Sequence, residues 1–361
     1  FKRQNDIANE GSRVSAYSGG DYHIALDRGI SLRDTGNLSS MGLNMKEGLR
    51  ALGEYMYQSG STDITDEQVL RALGAQKSLA LSSSQLSNVF RLQRFSRGGA
   101  TGVGIIRNFD DYVRRTQGNP ILLPEYLDLF KQLAEQQIGV SGSYNANNTA
   151  ALIQNLGDLT GANGPLLSAL ASGLQGAGTG GSNVVQAMKM MAVNRVNPNA
   201  GYFDAMRIME NPLENINYIS ALLTQNRRLS GGSRDVEGMQ LKELLPNLSY
   251  SQINTLMGIE DFSDLARLRS TLTNEGGDKY IERGEQMTTV YARGSAAIEN
   301  AIDALSITVS ENGEKLISKV EEIIDKLEDK LGARTKPTEY PRDEFSNKNG
   351  SYPYNAPYLY K

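Results

Sequence analysis

The sequence predicts an all-α protein: a multi-helix domain of short helices, then a long amphipathic or coiled-coil helix, then an extended Tyr/Pro-rich tail. Three observations lead there. Apolar residues recur at helical steps in short segments opened by Ser, Thr, Asn or Asp and closed by Gly or Pro. No stretch alternates polar and apolar residues for long enough to argue a sheet. The C-terminal part changes to charged heptads and then to alternating Tyr and Pro.

Residues 1–40 are polar and rich in Gly and Ser, as in NEGSRVSAYSGGDYH and DTGNLSS, and show no sustained period. They are expected to be an irregular linker following an N-terminal part. The chain opens on Phe1, no signal peptide is expected, and no apolar run reaches the roughly 18–20 residues of a membrane span.

Residues 41–275 are expected to form the helical domain, about a dozen short helices. Leu43, Met45, Leu49, Leu52 and Met56 fall on near-helical steps. In TDITDEQVLRALGAQ, Thr65 is the expected N-cap, with Gln68 three residues on completing a capping box. SSSQLSNVFRLQRFS repeats the pattern with a Ser cap, and LLPEYLDLFKQLAEQQIG starts near a Pro and is expected to stop at Gly139. Arg114-Arg115 and Arg227-Arg228 are placed at helix ends, where cations suit the dipole. Met188, Met190, Met191, Met206 and Met209 are expected as adaptable core filler.

Residues 276–332 form the amphipathic or coiled-coil segment. Ile298, Ile302, Leu305 and Val309 step by four, three and four, as do Leu316, Val320, Ile323 and Leu327, and the phase slips by one across Asn312-Gly313. Two readings fit: a helix or hairpin packed on its own domain, or a coiled coil through which copies of the chain form a homo-oligomer. Residues 333–361 cannot be helical, because Pro341, Pro353 and Pro357 interrupt them. Tyr340, Tyr352, Tyr354, Tyr358 and Tyr360 supply contact area suited to a partner's groove, so this extended tail is expected either to dock or to be disordered.

Composition excludes several chemistries. With 37 basic against 41 acidic residues the net charge is −4, without the basic excess of a nucleic-acid binder. No Cys removes disulfides and thiolate chemistry, and one His, His23, is too few for a zinc hydrolase. His23 is expected to be an ordinary surface histidine. Gly176, Gly178 and Gly181 fit G-x-G-x-x-G, but the preceding GPLLSALASGLQ reads as a helix where a nucleotide fold needs a strand. The loop is expected to join two helices, with Ser182 or Asn183 capping the second. No cofactor, metal or specific nucleic acid is expected.

Residues 60–275, through LSSSQLSNVFRLQRFSRGGATG, FDDYVRRTQGNPILLPEYLDLFKQLAEQQ, ALIQNLGDLTGANGPLLSALASGLQGAGTGGSNVVQAMKMM and MENPLENINYISALL, resemble the helical part of tailed-bacteriophage tape measure proteins. The resemblance implies a non-enzymatic virion protein, oligomeric in the tail lumen near the tip. It would act in tail assembly, length determination and DNA ejection, contact other tail and tip proteins, and meet a membrane only during infection. The frequent Gly and Pro stops suit a compact terminal module rather than a continuous ruler, which would add about 1.5 Å per residue. The alternative is a peptidoglycan-cleaving, muramidase-like tail protein, with Glu125 or Glu210 as general acid. A membrane-active helical module finds no basic amphipathic stripe to support it.

Overall fold

The computed structural model describes residues 2–20, 22–116, 122–178, 181–267 and 278–311. Among them are seventeen α-helices and one two-residue pair of strands, so the chain is all-α. By compactness it divides into Phe1–Leu305 and Ser306–Lys361, so the boundary expected at 275/276 falls inside the first unit.

Residues 1–40 correct the sequence reading. The expected irregular linker is helical: α1 (Lys2–Ser18), α2 (Tyr22–Asp34) and the single turn α3 (Asn37–Ser40). Two of its glycines are packing residues rather than turn residues. A Cβ on Gly11 would lie 3.0 Å from the Tyr22 ring, and one on Gly29 would lie 2.7–2.9 Å from Met45 and Leu49. Close approach of neighbouring side chains, not a loop, favours glycine at these two positions.

Both helices pack on α4 (Met45–Ser59), which also meets α5 (Asp66–Ser78) and α6 (Ser83–Gln93). Capping boxes open α4, α5 and α6 at Asn44/Glu47, Thr65/Gln68 and Ser82/Gln85. The Thr65 and Ser82 caps lie where the sequence puts them. Next come α7 (Gly102–Arg115), opened by a Thr101 cap, and α8 (Leu122–Ser141), which runs two residues past the expected stop at Gly139. The strands β1 (Ser96–Arg97) and β2 (Tyr144–Asn145) pair in parallel and tie the end of α6 to the start of α9 (Ala146–Thr160).

The chain continues through α10 (Gly164–Gln175), α11 (Asn183–Val196), α12 (Tyr202–Glu210), α13 (Ile216–Leu229), α14 (Arg234–Leu244) and α15 (Tyr250–Met257). Thus α4 to α15 supply the expected dozen. An aromatic series runs through the core: Tyr55 stacks on Phe90 at 4.2 Å, and Phe109, Phe130 and Tyr144 meet edge to face at 5.5 and 5.8 Å. Such pairs add about 0.5–1.5 kcal/mol each beyond burial.

Two polar residues, buried Asn155 and half-buried Arg227, tie these elements together. Fully buried Asn155 donates to the carbonyls of Leu265 and Arg267 at 3.0 and 2.7 Å. Arg227 lies in the last turn of α13, as expected, but its guanidinium does more than face a dipole. It donates to the carbonyls of Ile259, Glu260 and Met257 and to Glu237, and lies 4.2 Å from the Phe262 ring centroid. The methionines divide: Met188 and Met209 are core, whereas Met190 and Met191 are 39% and 48% exposed, on the outer side of α11. A four-residue Met-rich run must turn part of itself outward on a helix packed on one side.

After the region up to residue 267 the chain returns to the N-terminal helices as α16 (Asp278–Gln286) and α17 (Val290–Glu311).

Candidate self-association surface

Within the segment 276–332 the described residues form two helices, α16 and α17, broken at Met287–Thr289. Thr289 Oγ1 accepts from the Ala292 N–H at 3.2 Å and caps α17. The break lets the two helices dock differently.

α16 is locked in by shape and charge. It crosses α5 so closely that a Cβ on Gly74 would meet the Tyr280 carbonyl carbon at 2.6 Å and the Ile281 nitrogen at 2.8 Å. Asp110 of α7, almost fully buried, receives Arg114 Nε at 2.7 Å, the Tyr280 hydroxyl at 3.1 Å and Arg283 at 3.1 Å. Burial, reinforced by that carboxylate, pushes the Tyr280 hydroxyl pKa well above its ordinary value.

α17 docks through a different set of groups. Ala296, Asn300 and Asp303, stepping by four and three, are buried at 5%, 5% and 0% exposure. Asn300 Oδ1 accepts from the Met45 N–H at 2.8 Å, and its Nδ2 donates to the Leu43 carbonyl at 3.3 Å. Asn44 Nδ2 donates to Glu299 at 2.8 Å. The Met45 N–H is one of the first-turn donors of α4 that have no partner within their own helix.

The opposite stripe of α17 carries Ile298 and Ile302, 64% and 48% exposed, with Val290 exposed near the helix start. The usual helix arrangement is therefore reversed: an amide and a carboxylate face the domain, and isoleucines face outward. Ile298, Ile302, Leu305 and Val309 of the sequence-derived heptad all lie in this one helix. Leu316, Val320, Ile323 and Leu327, and Tyr340, Tyr352, Tyr354, Tyr358 and Tyr360, lie outside the described residues.

The remaining candidates fall elsewhere. Glu125 is exposed at an open depression of about 300 Å³ on α8 and α10 that it shares with Asp128 and Gln132. Glu210 is exposed at the end of α12, so neither acid lies in a closed apolar cleft. Before Gly176 stands the helix α10, and Ser182 Oγ caps α11 by accepting from Val185 N–H, so the glycine segment joins two helices. His23 is exposed on α2 beside Tyr22. Among the described residues no group of three or more His, Asp or Glu is arranged to hold a metal ion, and no helix is long and apolar enough to cross a membrane.

Sequence reasoning found the Ile298/Ile302 stripe but not its counterpart. A single asparagine such as Asn300 has no period or motif, and its partners Leu43 and Met45 are more than 250 positions away. Comparison with protein-family models, with curated proteins and with solved structures found no match.

Proposed function

We propose that this chain is an assembly-forming structural protein of a tailed-phage virion, similar to the helical, compact end of a tape measure protein. Copies join through the outward stripe of α17, and the tyrosine-rich tail docks on neighbouring tail or tip proteins. Its place is the tail lumen, where it takes part in tail assembly, length determination and DNA ejection. The observation that carries this reading is the reversed polarity of α17, with Ile298 and Ile302 in solvent while Asn300 and Asp303 are buried.

Magnitudes favour a longer contact than those two residues alone. Burying one isoleucine contributes about 1.5–3 kcal/mol, so two from each of two copies give about 6–12 kcal/mol. Association costs about 4–15 kcal/mol. The two isoleucines alone sit near balance, and the same heptad spacing continues within the helix to Leu305 and Val309.

Sedimentation of the full chain tests the assembly. The wild type should run as an oligomer and the double variant Ile298→Asp, Ile302→Asp as a monomer. An unchanged mass refutes the α17 surface. Quantitative mass spectrometry of purified phage particles tests the location. A few copies per particle fit an internal tail protein, whereas many copies would mean a tube or capsid subunit, and none would remove the virion assignment.

A further inference from the structure

We propose that self-association and the stability of the N-terminal helices are coupled, because α17 serves both with opposite faces. The inference rests on the reading of α17 as the self-association surface and adds how that surface is regulated.

The inward face does structural work for α4. The backbone N–H of Met45, first residue of that helix, has its partner in Asn300 rather than in its own turn. The N-cap residue Asn44 is held on one side by Glu47 of its own helix and on the other by Glu299. Two carboxylates thus stand at the positive end of the α4 dipole, one of them brought by α17.

The contact extends over several turns. Gly42 is in the left-handed region at φ 67°, and a Cβ there would lie 2.8 Å from Thr288 and 3.3 Å from Ala292. Residues 288, 292, 299 and 300 therefore track along residues 42–45. Helix α4 in turn packs against α1, α2, α5 and α6, so the end that α17 caps belongs to the hub of the N-terminal half.

The docking of α17 is largely polar, through Glu299, Asn300 and buried Asp303, and Ala296 is the one buried apolar residue among the helix's described side chains. Such a face holds position by hydrogen bonds, and its strength depends on the helix being formed and held in register. A second copy seated on Ile298 and Ile302 supplies that ordering. Whatever binds the capped state better than the uncapped state shifts the balance toward it, and reciprocally an intact cap prepares the surface for the second copy.

The experiment compares the wild-type full chain, the Ile298→Asp, Ile302→Asp variant and Asn300→Ala. It reads mass by sedimentation, the thermal midpoint across protein concentrations, and hydrogen exchange in the first turn of α4. In the wild type the midpoint should rise with concentration. In the isoleucine variant, whose changed side chains lie outside the core, the chain should be monomeric, with a lower, concentration-independent midpoint and faster exchange at Met45. In Asn300→Ala the dissociation constant should rise by about 5- to 150-fold, the span of ordinary coupling. If the isoleucine variant is monomeric but keeps wild-type exchange at Met45 and an unchanged midpoint, the coupling is wrong and the self-association reading stands. A wild type monomeric at every concentration overturns both.

Discussion

Gly74 and Gly284 face each other where α5 and α16 cross, with the Gly74 Cα 3.1 Å from the place a Cβ on Gly284 would occupy. Gly74 is the tighter of the two, because what it meets is the backbone of Tyr280 and Ile281, which has no rotamer to move. Gly74→Ala should therefore destabilise the protein by about 1–3 kcal/mol, despite the gain in helix propensity of about 1 kcal/mol. Gly139, inside α8 with open space at its Cβ position, is the matched control. Gly139→Ala should stabilise by about 0.5–1 kcal/mol. Urea unfolding of both variants checks the pair, and equal effects would reject the close crossing.

The carboxylate of Asp110 joins α7 to α16 through Tyr280 and Arg283. Asp110→Asn keeps the volume but removes the charge from two guanidinium groups. Breaking a fully buried pair costs about 3–5 kcal/mol. Arg283 and Arg114 are 30% and 50% exposed, so water recovers part of that. A loss of about 2–3 kcal/mol is expected by chemical unfolding. A loss below about 0.5 kcal/mol would show that shape alone holds α16.

Just past the C-cap Leu79 of helix α5, Ala80 stands at φ 52°, the only described non-glycine residue with a positive φ. The Leu81 N–H reaches back across Ala80 to the Gln76 carbonyl at 3.1 Å, the closing bond that normally accompanies a glycine at this place. The left-handed region costs an L-residue about 1–2 kcal/mol, offset in part by glycine's larger chain entropy. Ala80→Gly should raise stability by about 0.5–1 kcal/mol, and a fall in the melting temperature would contradict the assigned backbone.

Burial holds the hydroxyls of Tyr55, Tyr112, Tyr144, Tyr218 and Tyr280 protonated well above the ordinary phenol value of 10.0. An unfolded chain gives up those protons near pH 10 while the folded chain keeps them. Stability is therefore intact below that pH and falls above it, by about 1.4 kcal/mol per pH unit for each proton released only on unfolding. Burial lowers the Lys77 and Lys189 pKa values, which acts in the opposite direction, but that contribution is complete once pH passes their ordinary 10.5. In a scan of tyrosinate absorbance and helical circular dichroism from pH 9 to 12, the share of the absorbance that belongs to these five rings should appear only together with the loss of the helical signal. Full tyrosine ionisation with the helical signal intact would refute the burial of these rings.

What the sequence made legible was local. The Thr65/Gln68 and Ser82 caps, the glycine connector before α11 and the basic ends of α7 and α13 all depend on residues within one turn of each other. What it hid was distant. Gly11 and Gly29 look like turn residues until Tyr22, Met45 and Leu49 are seen against them. Asn300 looks like any helix-surface amide until Leu43 and Met45 are found beside it. The Ile298/Ile302 stripe lies between these cases: its spacing was readable, but that it faces away from the domain follows only from the polar face opposite.

The 255 positions separating Met45 from Asn300 also impose an order in time. Chains are synthesised at about 5–20 residues per second, so α4 waits about 10–50 s after emerging before Asn300 reaches the Met45 N–H. During that interval the groove over α5 that receives α16 lies open and the first turn of α4 can fray. The outward isoleucines are made near the end of the first unit, in the same stroke that closes the domain beneath them. A chain halted at residue 277 should thus be cut readily near Met45 by added protease. One that has passed Glu311 and cleared the ribosome should resist. The isoleucine stripe would then be displayed only once the domain beneath it has closed.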